Sequence, residues 1–255
     1  MSGIGFHIDG ATAILTLDNP SKLNALTIDM LDALEAHVQQ IERDSAIRSL
    51  VLTGAGDKAF CCGADIGAWG GLSPAEFARH WVRDGHRIFD RLARLGKPTI
   101  AAINGHAFGG GLELASCCDL RLTAPRATLA LPEARIGIVP GWSGTQRLAR
   151  LMPEGAIKEM ALFGRRLSAD RAVSLGYAAE LAGDVMTRAL EIATEAQALS
   201  PRAIEIAKNM IHAAVGEDTD AAIEALGSAA AAASADRDEG VAAFMEKRNP
   251  QFSGL

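Results

Sequence analysis

The chain has 255 residues, 49% of them apolar, enough for a sizeable core in one globular domain or one domain with a helical extension. Its net charge of −6 argues against nucleic acid or an anionic membrane surface as a main partner, and no apolar run approaches the ~20 residues of a membrane span. Met1 to Phe6 has neither the basic region nor the long apolar run of a secretory leader, so the chain reads as cytoplasmic.

Strand-like and helix-like stretches alternate through the first two-thirds. Ala11 to Asp18 is a short β run ending at Asn19-Pro20, and Thr27 opens a helix with Leu31, Leu34, Val38 and Ile41 on one face. Ser49 to Thr53 reads as a buried strand. Ser73-Pro74-Ala75-Glu76 combines an N-cap serine, a proline at the first helical position and a glutamate three after the cap. The helix it starts is predicted to run through Phe77, Trp81, Ile88, Phe89 and Leu92 to about Leu95, where Lys97-Pro98 stops it. Thr99 to Ile103, Leu120 to Ala124 and Thr128 to Leu131 read as further strands. Beyond Leu181 strand signals vanish. Ser200-Pro201 is a second cap-plus-proline start, and residues 220–235 are alanine-rich, a composition suited to close helix packing. The pattern predicts an α/β core over residues 1–195 and a helical region over 196–255 that needs something to pack on. The four cysteines fall in two adjacent pairs, Cys61-Cys62 and Cys117-Cys118. Neither has metal or redox spacing, and both read as thiols in a reducing compartment.

Two segments carry carboxylates in unusual company. In Asn104–Glu113 three glycines, Gly109-Gly110-Gly111, follow a buried strand and lead into a helix. Glycines there let the backbone approach a ligand and point free N–H groups at it, with the helix dipole adding positive character. Such a place suits an oxyanion, whereas the spacing fits neither a dinucleotide fingerprint nor a P-loop. Glu113 then sits among Leu112, Leu114, Ala115 and Cys117, where burial raises a carboxyl pKa. Glu133 lies in Leu131–Gly141, again apolar and rich in Pro and Gly. Two such carboxyls meeting in one pocket could move a proton and activate a water. Gly141-Trp142-Ser143-Gly144-Thr145 imitates the start of a serine nucleophile elbow but lacks its last glycine and follows Pro140 instead of a strand.

Taken in order, these segments resemble the enoyl-CoA hydratase/isomerase (crotonase) family across nearly the whole chain. Asn24-Ala25-Leu26 is similar to its N-A-L signature, Ala59–Ile66 to its A-F-x-x-G-A-D-I loop, and Lys97–Glu113 to its K-P-x-I-A-A-x-N-G-x-A-x-G-G-G-x-E block. Pro132-Glu133 through Leu148 resembles P-E…P-G-x-x-G-T-Q-R-L, and Phe244–Arg248 the closing F-x-E-K-R. The resemblance implies a spiral of ββα turns, a C-terminal helical region that builds homotrimers or hexamers, an acyl-CoA thioester substrate, and no metal or redox cofactor. It places Glu113 and Glu133 on the family's two catalytic glutamates and the N–H groups of Ala64 and Gly110 in an oxyanion hole. Lys22, Ala25, Leu26, Cys62, Asp65, Ile66, Gly141, Trp142, Phe244 and Lys247 fall on positions that meet the acyl-CoA. Members that isomerise keep an acid at the Glu133 position and lose the one at Glu113, so both being present favours hydration. Trp142-Ser143 depart from the small residues usual in that loop, and Gly67 stands where many hydratases carry a lysine. The competing readings are an isomerase or dehydratase of the same family, a hydrolase using Ser143, and a non-catalytic CoA- or RNA-binding protein on this fold.

Overall fold

A computed structural model of the chain describes residues 3–217 and 219–254. Among these residues ten strands form two sheets. One is six-stranded: β1 (Gly3–Asp9), β2 (Thr12–Asp18), β3 (Ser49–Gly54), β5 (Thr99–Ile103), β7 (Leu120–Thr123) and β10 (Glu180–Leu181), in that order, with β1 antiparallel to β2 and the rest parallel. The other holds β4 (Ala59–Cys61), β6 (His106–Phe108), β8 (Thr128–Ala130) and β9 (Leu167–Ser168). From β3 to β8 successive strands go alternately to the two sheets, and a helical segment returns the chain after each pair. That is the expected ββα spiral. It brings the ends of β4, β6 and β8 side by side, and the functional segments hang from those ends.

The elements follow from their residues. β3 and β5 lie mid-sheet with both faces covered, and their runs Ser-Leu-Val-Leu-Thr-Gly and Thr-Ile-Ala-Ala-Ile are apolar throughout instead of alternating. Helix α1 (Ile28–Arg43) begins where Thr27 Oγ1 accepts the Met30 N–H at 3.2 Å, and it buries Met30, Leu31, Leu34, Val38 and Ile41. β1 was not predicted. It is an edge strand whose residues are largely exposed, and the two-residue turn Gly10-Ala11, with Gly10 at φ 57°, folds it onto β2.

After β4 come α2 (Ile66–Trp69) and α3 (Pro74–Glu76), the latter held by the predicted capping box of Ser73 and Glu76. The predicted single helix then departs from α geometry. Phe77–Val82 is a π-helical turn leading into α4 (Arg83–Ala93). The chain continues through α5 (Gly110–Ala115), α6 (Gly144–Leu151), α7 (Glu154–Phe163), α8 (Ala169–Ser174) and α9 (Val185–Gln197). Ala189 and Ala193 of α9 join Val51, Ile100, Ala102 and Leu122 in a second apolar cluster on the six-stranded sheet. Residue 195, the predicted boundary, falls within α9.

By compactness the chain divides into Met1–Ile204 and Glu205–Leu255, a boundary inside α10 (Pro201–Ala214). The second unit continues with α11 (Thr219–Ala232) and α12 (Ala235–Glu246). The alanine-rich stretch falls mainly on α11, where the side chains of 220–222 and 226 lie outside the described residues. Within this unit Arg248 forks onto Glu239 with bonds of 2.6 and 2.8 Å, and Asp236 accepts the Ser253 N–H at 2.6 Å, tying the last residues to α12.

Candidate active site

The first wall of the site is the segment leaving β4. Ala64 forms a parallel bridge with Leu26, made by Leu26 N–H to the Gly63 carbonyl and Asp65 N–H to the Leu26 carbonyl, both 2.8 Å. The bridge is built by the neighbours of Ala64, so the Ala64 N–H itself points to the opposite side. The second wall is the first turn of α5, where the Gly110 N–H is one of the helix's orphan donors. The two walls touch. A Cβ on Gly111 would stand 2.1 Å from the Cys61 carbonyl oxygen, and one on Gly110 would stand 3.7 Å from the Ala64 nitrogen. Gly109 has φ 51°, a conformation suited to glycine, and a side chain there would meet Glu133 Oε1 at 2.8 Å. The three glycines are thus a steric condition for bringing two amide donors and a carboxyl together.

Glu113 and Glu133 both line one cavity of about 280 Å³, together with Ala64 and Gly110. Glu113 is 3% exposed, and its Oε1 accepts the N–H groups of Trp142 and Gly144, each at 2.8 Å. Ser143 sits between those donors in the left-handed region at φ 74°, which turns both amides onto one oxygen. Burial raises the Glu113 pKa, while the two amides and the positive charge of Arg147 oppose the rise. Glu133 opens a short 3₁₀ turn after β8, and its Oε2 is buried with no hydrogen-bond partner among the described residues. Burial first, and the nearby Glu113 charge as a lesser cause, push its pKa up to about 7, with a bond to its own backbone opposing. One carboxyl is therefore held by two donors and the other is poised to keep a proton near neutrality, a pairing suited to one base and one acid.

Four further residues expected at the ligand, Cys62, Ile66, Gly141 and Trp142, also line the cavity. Others do not. Ala25 and Leu26 are buried, so only their backbone could meet a ligand. Asp65 caps α2 through Gly67 N–H and holds Lys22 Nζ at 2.6 Å, which keeps its carboxyl below the usual range. Phe244 is 82% exposed and Lys247 ends α12 in the left-handed region, both in the second unit. Ser143 is not part of the cavity wall. Its Oγ lies 3.1–3.2 Å from both ring nitrogens of His86, whose Nε2 is 3.5 Å from Asp90 Oδ2, and His86 and Asp90 border a separate groove. Neither Ala64 nor Gly110 lines that groove.

The sequence reading missed part of the lining. Trp69, Phe77, Trp81 and Val82 stand in the wall with Ile138, and Arg135, Ile136 and Val139 complete it, the last two exposed. One signal was available: the chain has three tryptophans, and all three line this cavity.

The sequence profile of the enoyl-CoA hydratase/isomerase family matches residues 7–254. The chain belongs to that family. It is 36% identical to a short-chain-enoyl-CoA hydratase of Clostridium acetobutylicum, over 94% of this chain and 93% of the relative, and 36% identical to a crotonyl-CoA hydratase of Syntrophomonas wolfei, over 94% of each. Its fold matches the crystal structure of an enoyl-CoA hydratase from Bacillus anthracis with a TM-score of 0.81 at 35% identity, covering 99% of both chains. DspI of Pseudomonas aeruginosa matches with a TM-score of 0.82 at 35% identity, over 98% of this chain and 96% of that one. Among the described residues no helix is long and apolar enough to cross a membrane.

Proposed function

We propose that this family member is an enoyl-CoA hydratase that adds water across the 2,3-double bond of an enoyl-CoA thioester. The observation that carries the reading is the pair Glu113 and Glu133 in one cavity with the amides of Ala64 and Gly110. The thioester carbonyl oxygen accepts from the two amides. As the Glu113 carboxylate takes a proton from water, the water oxygen bonds to C3. The π electrons move onto C2 and the carbonyl oxygen, giving an enolate. Protonated Glu133 then delivers its proton to C2. Preorganised donors of this kind contribute roughly 3 kcal/mol each to such a charge. No net oxidation occurs, so the reaction needs no redox cofactor.

The same reading assigns the CoA phosphates to Lys22, released from Asp65, and to Lys247. It also assigns the protein to the cytoplasm and the exposed apolar residues of the second unit to a homotrimer or hexamer.

The test is hydration of crotonyl-CoA, followed by loss of the conjugated-thioester absorbance, set beside isomerisation of a 3-enoyl-CoA. Glu113→Gln and Glu133→Gln each keep shape but remove the base or the acid. Each is expected to lower hydratase kcat by about 10²–10⁴-fold with little change in substrate affinity. An isomerase would instead lose its activity in Glu133→Gln and keep it in Glu113→Gln. Full hydration by Glu113→Gln would end the hydratase reading.

A further inference from the structure

The cavity is unusually aromatic for a chain with 5% aromatic residues. Trp69 and Phe77 meet edge-on with centroids 5.3 Å apart, Trp81 and Trp142 are tilted at 5.1 Å, and both pairs stand in the same wall. Trp142 is seated deliberately. Its ring fills the space above Gly85, where a Cβ would lie 2.2 Å from Trp142 Nε1, and it runs beside Gly110, whose Cβ position is 2.8 Å from Trp142 Cζ3. The ring therefore stands next to one of the amides that face the thioester carbonyl, beside the reacting carbons.

Trp142 Nε1–H donates to the Trp81 carbonyl at 3.2 Å, which fixes that ring in the wall. Size points the same way. An apolar cavity of about 150 Å³ takes a benzene ring, and the roughly 280 Å³ here leaves room for a ring and a three-carbon enoyl unit.

We propose that the acyl group this site selects is a 3-aryl-2-enoyl thioester, its ring set among Trp69, Phe77, Trp81 and Trp142. This rests on the hydratase reading for its chemistry but not for its binding. A linear chain of equal area loses the ring–ring contacts, each worth a factor of roughly two to ten beyond area burial.

The test uses inert saturated thioesters, so that binding is read apart from turnover. Quenching of tryptophan fluorescence reports it directly, because every tryptophan lines the cavity. 3-Phenylpropanoyl-CoA is expected to bind roughly fivefold or more tighter than heptanoyl-CoA, a linear chain of similar apolar area. Phe77→Leu keeps the apolar character of the wall but removes one ring, and it is expected to lower the phenyl-to-heptanoyl ratio at least twofold. These are ratios within one protein, so partial unfolding of the variant cancels. Equal or tighter binding of heptanoyl-CoA overturns the proposal, as does an unchanged ratio in Phe77→Leu. Turnover of crotonyl-CoA and cinnamoyl-CoA by the unaltered chain is recorded alongside. Aryl-selective binding without hydration of either would sink the hydratase reading alone, and hydration without aryl selectivity the present proposal alone.

Discussion

Glu133 is 7% exposed, has a bare carboxyl oxygen and a pKa pushed up to about 7, and its ionisation works against folding. In the unfolded chain the same group titrates near ~4.3. Between those values the folded state holds a proton the unfolded state has lost, so stability falls as pH rises through that window and stays low above about 7. The shift corresponds to a penalty of about 4 kcal/mol at pH 8. Glu133→Gln is therefore expected to unfold at higher urea than the unaltered protein at pH 8, by roughly 1–3 kcal/mol, with the gap closing toward pH 5. Urea titrations at four pH values decide it, and an advantage that grows at low pH refutes the assignment. Hydratase activity should fall as pH rises through about 7, because the acid needed at C2 is then lost. Both glutamates were legible in the sequence because each stands in a run of apolar neighbours. Which would be held by two amides was not, since that depends on Ser143 turning the chain left-handed 30 residues after Glu113.

Helix α4 contains a glycine that its own geometry disfavours, since Gly in a helix interior costs about 1 kcal/mol against Ala. Gly85 is there because Trp142 occupies the space a side chain would take. Gly85→Ala should therefore destabilise the protein by about 1–3 kcal/mol through overpacking. In a Trp142→Ala background the same change should instead stabilise by roughly 0.5–1 kcal/mol, as helix propensity alone predicts. A double-mutant cycle read by thermal unfolding checks the change of sign, and destabilisation of equal size in both backgrounds would show that Gly85 serves something else. Nothing in the sequence ties position 85 to position 142. The neighbouring π turn was equally hidden, because Phe77, Trp81, Ile88 and Phe89 fit a regular helix as well as one with an extra residue in its turn. β1 escaped notice because an exposed edge strand with two glycines shows no clean alternation. The glycine block of α5 and the cap at Ser73 were legible because short-range backbone geometry alone demands those residues.

At the scale of the molecule, the second unit leaves Met210, Ile211, Ile223, Val241, Phe244 and Met245 each at least 50% exposed. Burying such a side chain is worth about 1.5–3 kcal/mol, which favours assembly through this region. Equilibrium sedimentation is expected to give a trimer or hexamer. Removal of residues from Ser200 onward should leave aggregate, and a monodisperse active monomer of the shortened chain would contradict the assignment. The helical character of this region was legible from its composition. Its division from the rest was not, since Ser200-Pro201 opens one continuous helix and the compact units part within it.

Cys62 lines the same cavity as the two glutamates, and burial, helped by the charge of Asp65, raises its pKa. A conjugated enoyl thioester is an electrophile at C3, and thiolates add to such carbons readily. A thiolate in this wall would compete with water for the same carbon and leave the protein alkylated by its own substrate. Keeping Cys62 as the protonated thiol, donating to the Lys22 carbonyl at 3.2 Å, withholds the lone-pair charge such an addition needs. The apolar wall that lifts one carboxyl into the range of an acid thus also keeps a nearby sulfur from becoming a suicide nucleophile.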